Sequence, residues 1–137
     1  MSSNSHNHDK SRANEHDRQA LQGTWEQTAL EDSGRLNPAD EHTAPGAITT
    51  IDGNQFQVVT VTGEVLLAGS YTLDANTTPK TIIWVDSMGA DAGKQLPASY
   101  RLEGDDFVFI AADEGMPRPI LFSTGPGQTM RTFTRKG

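Results

Sequence analysis

The chain has 137 residues, which is one domain's length and enough to bury roughly 65 to 70% of the unfolded surface without a disulfide or a structural metal. It contains no cysteine, so thiol catalysis, Cys-based zinc sites and a disulfide framework are excluded. Eighteen acidic against eleven basic residues leave a net charge of -7, a surface that repels phosphate backbones and anionic lipid heads, so neither nucleic acid nor a membrane is an expected partner.

Residues 1–19 are Ser, Asn, His and charge around a lone Ala13, and read as a disordered polar tail that cannot offset its own ordering entropy. A short helix over residues 9–22 is the alternative, but Ala13, Ala20 and Leu21 make a thin apolar stripe. The tail is polar where a secretory signal is apolar, and no apolar run approaches ~18 residues, so the chain reads as soluble and cytoplasmic. His6, His8 and His16 lie in the tail with no carboxylate or thiol fixed beside them, and no metal site is predicted there.

The domain proper, residues 20–137, opens with a strand over residues 20–30, in which Leu21, Gly23, Trp25, Gln27 and Ala29 share one face. A long polar loop follows over residues 31–46, its prolines and glycines precluding a continuous helix. Residues 47–51 and 55–62 then pair through an Asp52-Gly53 turn, a pair suited to type I′ geometry. Further strands are predicted over residues 64–73, 80–86, 95–103, 106–112 and 128–135, with Gly104-Asp105 as a second tight hairpin turn. Eight strands in sequence, joined by connections too short for crossover helices, predict an all-β fold, an eight-stranded antiparallel up-and-down barrel. A two-sheet sandwich is the competing architecture.

Gly23-x-Trp25 on the first strand, with Arg131 or Arg135 on the last, resembles the lipocalin pattern, in which the arginine packs across the indole and closes one end of the barrel. Over residues 21–135 the chain resembles a family of small bacterial lipocalin-like proteins of unknown function. The matching segments are Leu21-Gln22-Gly23-Thr24-Trp25, Gly69-Ser70-Tyr71-Thr72-Leu73, residues 100–107 and Arg118-Pro119-Ile120-Leu121-Phe122. The resemblance implies a lipocalin-like barrel with Gly23, Trp25 and Arg131 or Arg135 at its closed end. It implies no activity. The chain departs from the family's pattern in lacking an export or lipoprotein signal and in carrying Ile110 where a cysteine is common.

Enzyme motifs are scarce. His42 stands in the polar loop without a Gly-x-Ser-x-Gly elbow, and the acid pairs Asp105-Asp106 and Asp113-Glu114 fall at turns, where Asp bonds its own backbone. No catalytic residue and no cofactor is assigned. The aromatic residues carry more information, because Phe56, Tyr71, Tyr100, Phe107 and Phe109 fall at alternate strand positions and, with Trp25 and one of Ile83 or Trp84, predict one interior face, on which Trp25, Phe56, Tyr71, Trp84, Tyr100 and Phe109 are the expected ligand-facing residues. An eight-stranded barrel is either filled by its side chains or holds one small ligand. The two tyrosine hydroxyls favour a pocket, since a buried hydroxyl needs a partner that hydrocarbon does not supply.

The sequence thus reads as a non-enzymatic binding protein for a small apolar or amphipathic molecule, with the tyrosines orienting its polar end. The acidity of the 31–46 loop, expected at the mouth, favours neutral or cationic ligands over carboxylates. A filled barrel acting as an interaction module is the rival reading. Strands apolar on both faces, such as residues 82–85 and 107–110, need a cover, which the N-terminal segment, the long loop or a second copy in a homodimer could supply.

Overall fold

The computed structural model describes residues 2–36, 47–89, 92–113 and 115–136, with side chains from residue 12 onward. A helix, α1 (Ser2–Leu21), precedes nine strands: β1 (Gly23–Asp32), β2 (Arg35–Leu36), β3 (Ile48–Asp52), β4 (Gln55–Val59), β5 (Val65–Asp74), β6 (Lys80–Asp86), β7 (Gln95–Glu103), β8 (Asp106–Ala112) and β9 (Gln128–Arg135). The strands pair antiparallel in chain order, and β9 returns to β1 and closes the barrel. The two-residue β2 folds back on the end of β1 and lies outside the ring. The all-β barrel is therefore the architecture, and the sandwich is not.

Four strand ranges fall where alternation places them: residues 80–86, 95–103, 106–112 and 128–135. The two predicted hairpins form, with Asp52 opposite Gln55 and Glu103 opposite Asp106. In the first, the two turn residues are Gly53 and Asn54 rather than Asp52 and Gly53, because the positive φ of 64° is needed at Gly53 while Asp52 still pairs in the ladder.

Two expectations need correction. The tail expected to be disordered is α1 as far as Leu21, and the first strand starts at Gly23, not at residue 20. The helix is anchored by a largely polar face, since Asn14, Asp17 and Leu21 recur at helical spacing and each meets the barrel. Asn14 Oδ1 accepts from the Ala75 amide at 2.7 Å, the Asp17 carboxylate is buried, and so is Leu21. A count of apolar residues alone passes over such a face.

The second correction is one of parity: a bulge between Gln27 and Ala29 shifts the β1–β9 register, so Leu30, opposite Arg131, is buried where Ala29 was expected to point inward. Part of the cover for the two-sided apolar strands comes from the segment before β9. The Ser99 hydroxyl donates to the Pro119 carbonyl at 2.6 Å, Arg101 stacks 4.0 Å over the Phe122 ring, and Ile110, opposite Ser99, is fully buried. Residues 37–46, the greater part of the expected long loop and the position of His42, lie outside the described residues.

Gly69 sits where β4 and β6 crowd β5. A Cβ there would stand 2.1 Å from the Val85 carbonyl oxygen and 2.8 Å from Phe56 Cε1. Gly69→Ala should therefore force the backbone apart and cost about 1 to 3 kcal/mol, read as a lower urea midpoint at unchanged slope. An unchanged midpoint would mean that β5 is not held this tightly.

Candidate functional site

One end of the barrel is closed from within its own sequence. Gly23 holds a φ of 117°, a conformation L side chains avoid, with the Arg135 guanidinium in van der Waals reach, 3.4 Å from where a Cβ would stand. The glycine lets β1 leave the helix and brings Trp25 beneath it. Trp25 is 0% exposed, its Nε1–H donates to the Leu21 carbonyl at 2.8 Å, and the Arg135 guanidinium lies 4.3 Å over its ring. Arg135 also donates to the carbonyls of Gln22 and Ala20 at the end of α1, and its Nε pairs with Asp105 at 3.1 Å. The arginine over the indole is therefore Arg135, not Arg131.

The two tyrosines seal this same end instead of facing a ligand. Tyr100 donates its hydroxyl to Asp17 Oδ2 at 2.6 Å, and the same oxygen accepts from Lys80 Nζ at 2.9 Å. Tyr71 donates to the Gly53 carbonyl at 2.7 Å, beside Gln22, whose side chain clamps both the N–H and the C=O of Gly53. The hydroxyls do have partners, as burial requires, but the helix and a hairpin turn supply them.

Desolvation, then the hydrogen bond and charge of Asp17, hold the Tyr100 phenol well above its ordinary value; desolvation likewise raises Tyr71. Groups raised in the folded state leave stability intact below pH ~10, the unfolded value, and erode it above, where only the unfolded chain ionises readily. These are the chain's only tyrosines. Absorbance at 295 nm should therefore show far less than half of the tyrosinate at pH 10 in native protein and about half in denaturant. Matching curves would mean that water reaches this end.

Above this seal the barrel is hollow. A cavity of about 400 Å³ runs from Trp25, Phe107 and Phe133 to Thr129, Ala112 and Asp113 at the opposite end, so the interior is not filled. Four of the six predicted ligand-facing residues line it: Trp25, Phe56, Trp84 and Phe109. Tyr71 and Tyr100 do not.

Trp84 is the hub of the aromatic wall, with ring centroids 4.9 Å from Phe109, 5.2 Å from Phe56 and 5.7 Å from Tyr71. Its Nε1 is buried with no hydrogen-bond partner, an unpaired donor within the wall. Phe109 and Phe107 stack on Phe133 at 5.9 and 5.6 Å.

The polar part of the lining is Gln27, Thr49, Asp86, Asp113, Thr129 and Arg131. Arg131 Nη1 donates to Gln27 Oε1 at 3.2 Å, so the second candidate closure arginine is a cavity residue instead. Strand parity is the signal that finds it, because Arg131, Phe133 and Arg135 alternate onto one face and only height along the axis separates their roles. Of the acid pairs, Asp105 serves Arg135, and the Asp113 backbone pairs with Gly127 in the turn before β9. Among the described residues no three His, Asp or Glu side chains come together as a metal site, and no helix is long and apolar enough to cross a membrane.

Compared with known protein families, curated proteins and solved structures, the chain matches none.

Proposed function

We propose that this protein is a binding protein whose barrel takes up one small apolar or amphipathic molecule and performs no chemistry on it. The observation that carries this reading is the cavity of about 400 Å³ walled by Trp25, Phe56, Trp84, Phe107, Phe109 and Phe133. Its volume lies within the ~300 to 1,000 Å³ of small-molecule sites, and its few polar groups are suited to fixing a ligand's orientation. Leaving such a space open forfeits packing contacts, roughly 24 cal/mol per Å³ of cavity. A barrel serving only as a scaffold gains nothing from that expense.

N-phenyl-1-naphthylamine, an uncharged aromatic probe that brightens in apolar surroundings, tests the reading. It should bind with a stoichiometry of one. Ala111→Trp and Leu67→Trp, each setting an indole into the cavity from a lining position, should weaken binding by at least about tenfold while circular dichroism stays unchanged. Absence of binding, or binding indifferent to both substitutions, would leave the cavity without this role.

A further inference from the structure

Four of the six aromatic rings that line the cavity gather on one side of the barrel. Phe107 and Phe109 stand on β8, Phe133 on β9 and Trp25 on β1, three strands made neighbours by the β9–β1 closure. We infer that the cavity selects flat aromatic ring systems over aliphatic chains and saturated rings of the same size, the guest lying as the next step on the stack that Phe107, Phe133 and Phe109 form. This deepens the proposed function and rests on the cavity being a ligand site.

Phe133 lies at 25° to Phe107 and at 16° to Phe109, with centroids 5.6 and 5.9 Å away, and Phe107 lies at 38° to Phe109 with centroids 6.0 Å apart. Small angles at these spacings are offset stacking, in which the positive edge of one ring lies over the negative face of the next. The strands dictate it. Phe107 and Phe109 are two residues apart on one face of β8, and Phe107 pairs with Phe133 across the β8–β9 ladder. Trp84 stands at 48° to Phe109 and Trp25 at 57° to Phe107, so the near-parallel series is confined to the three phenyl rings. Phe109 and Phe133 both border the cavity, and a flat guest continues their series by one ring.

The wall opposite is aliphatic in part, since β4 and β5, halfway round the ring of strands from β8 and β9, bring Val58 and Leu67 to the same cavity. A flat guest thus has phenyl rings against one face and C–H groups toward the other. A saturated bicycle or an alkyl chain buries at least as much apolar area, but it has no π face to stack. Each stacked aromatic pair is worth about two- to tenfold in binding beyond the area it buries, so selection by rings runs against selection by area alone. A cavity of about 400 Å³, near the lower end for ligand sites and closed at one end where Arg135 covers Trp25, further suits a compact ring system better than a long chain.

Two alcohols with one carbon skeleton test the inference: flat 2-naphthol and its saturated counterpart trans-decahydro-2-naphthol, both uncharged at neutral pH. By calorimetric titration the naphthol should bind the wild type at least about threefold more tightly, although the saturated alcohol is the more apolar. Phe109→Leu and Phe133→Leu each replace a ring of the stack with an aliphatic side chain. That preference should fall to less than half its wild-type value in at least one of them, read in whichever folds by circular dichroism. If the cavity takes up N-phenyl-1-naphthylamine or the saturated alcohol but the naphthol has no such advantage, or keeps more than half of it in both variants, the inference is overturned while the proposed function stands. If none of the three compounds binds the wild type, the proposed function itself fails.

Discussion

Deleting Ser2–Leu21 is expected to lower the thermal midpoint by more than about 12 °C. The deletion removes Leu21, fully buried against the core and worth about 2 kcal/mol of apolar burial. It strips Tyr100 of the Asp17 carboxylate, and an orphaned buried hydroxyl costs about 1 to 3 kcal/mol. It also takes the Leu21 carbonyl from Trp25 Nε1 and the Ala20 carbonyl from Arg135. Together these reach roughly 4 kcal/mol or more, at about 3 to 6 °C per kcal/mol for a domain of this size. Deleting only residues 2–11 retains Asn14, Asp17 and Leu21 and should shift the midpoint by a few degrees at most. A full deletion that melts like the parent would mean that the helix rests on the barrel without closing it.

Trp25→Ala should cost about 3 to 5 kcal/mol, the range for removing a large buried aromatic. The indole carries three contacts at once: the bond to Leu21, the Arg135 guanidinium 4.3 Å above it, and Phe107 with its ring centroid 5.8 Å away. Arg135→Met should cost less, about 1 to 2 kcal/mol, because the ring stays buried and only the cation and its bonds are lost. Equal losses for Trp25→Ala and for an exposed strand substitution such as Thr72→Ala would remove the indole from the centre of the fold.

Period-two patterning made the strands, their order and the inward set of aromatics legible, because side-chain direction alternates whatever the tertiary context. It does not give height along the barrel axis. Alternation places Tyr71 and Tyr100 on the inward face but not at the seal where they stand, and it leaves Arg131 and Arg135 as alternatives for the closed end that only height separates. The bulge after Gln27 was invisible for a related reason, since one extra residue flips parity without leaving a compositional mark.

The closing helix is legible only as an alternative, over residues 9–22, because its contacts are mostly polar. Asn14 and Asp17 look like solvated residues until Ala75, Lys80 and Tyr100, more than sixty residues away, supply their partners. The Gly23-x-Trp25 segment was readable because its requirement is local: a positive φ followed by a ring.

The central claim is that the hollow of this barrel is a ligand site, and the most direct measurement is a crystal structure of the protein soaked with N-phenyl-1-naphthylamine. The account predicts density for the naphthyl ring between Trp25, Phe56, Trp84 and Phe109. Density confined to the exterior, with the cavity empty at saturating probe, would contradict it.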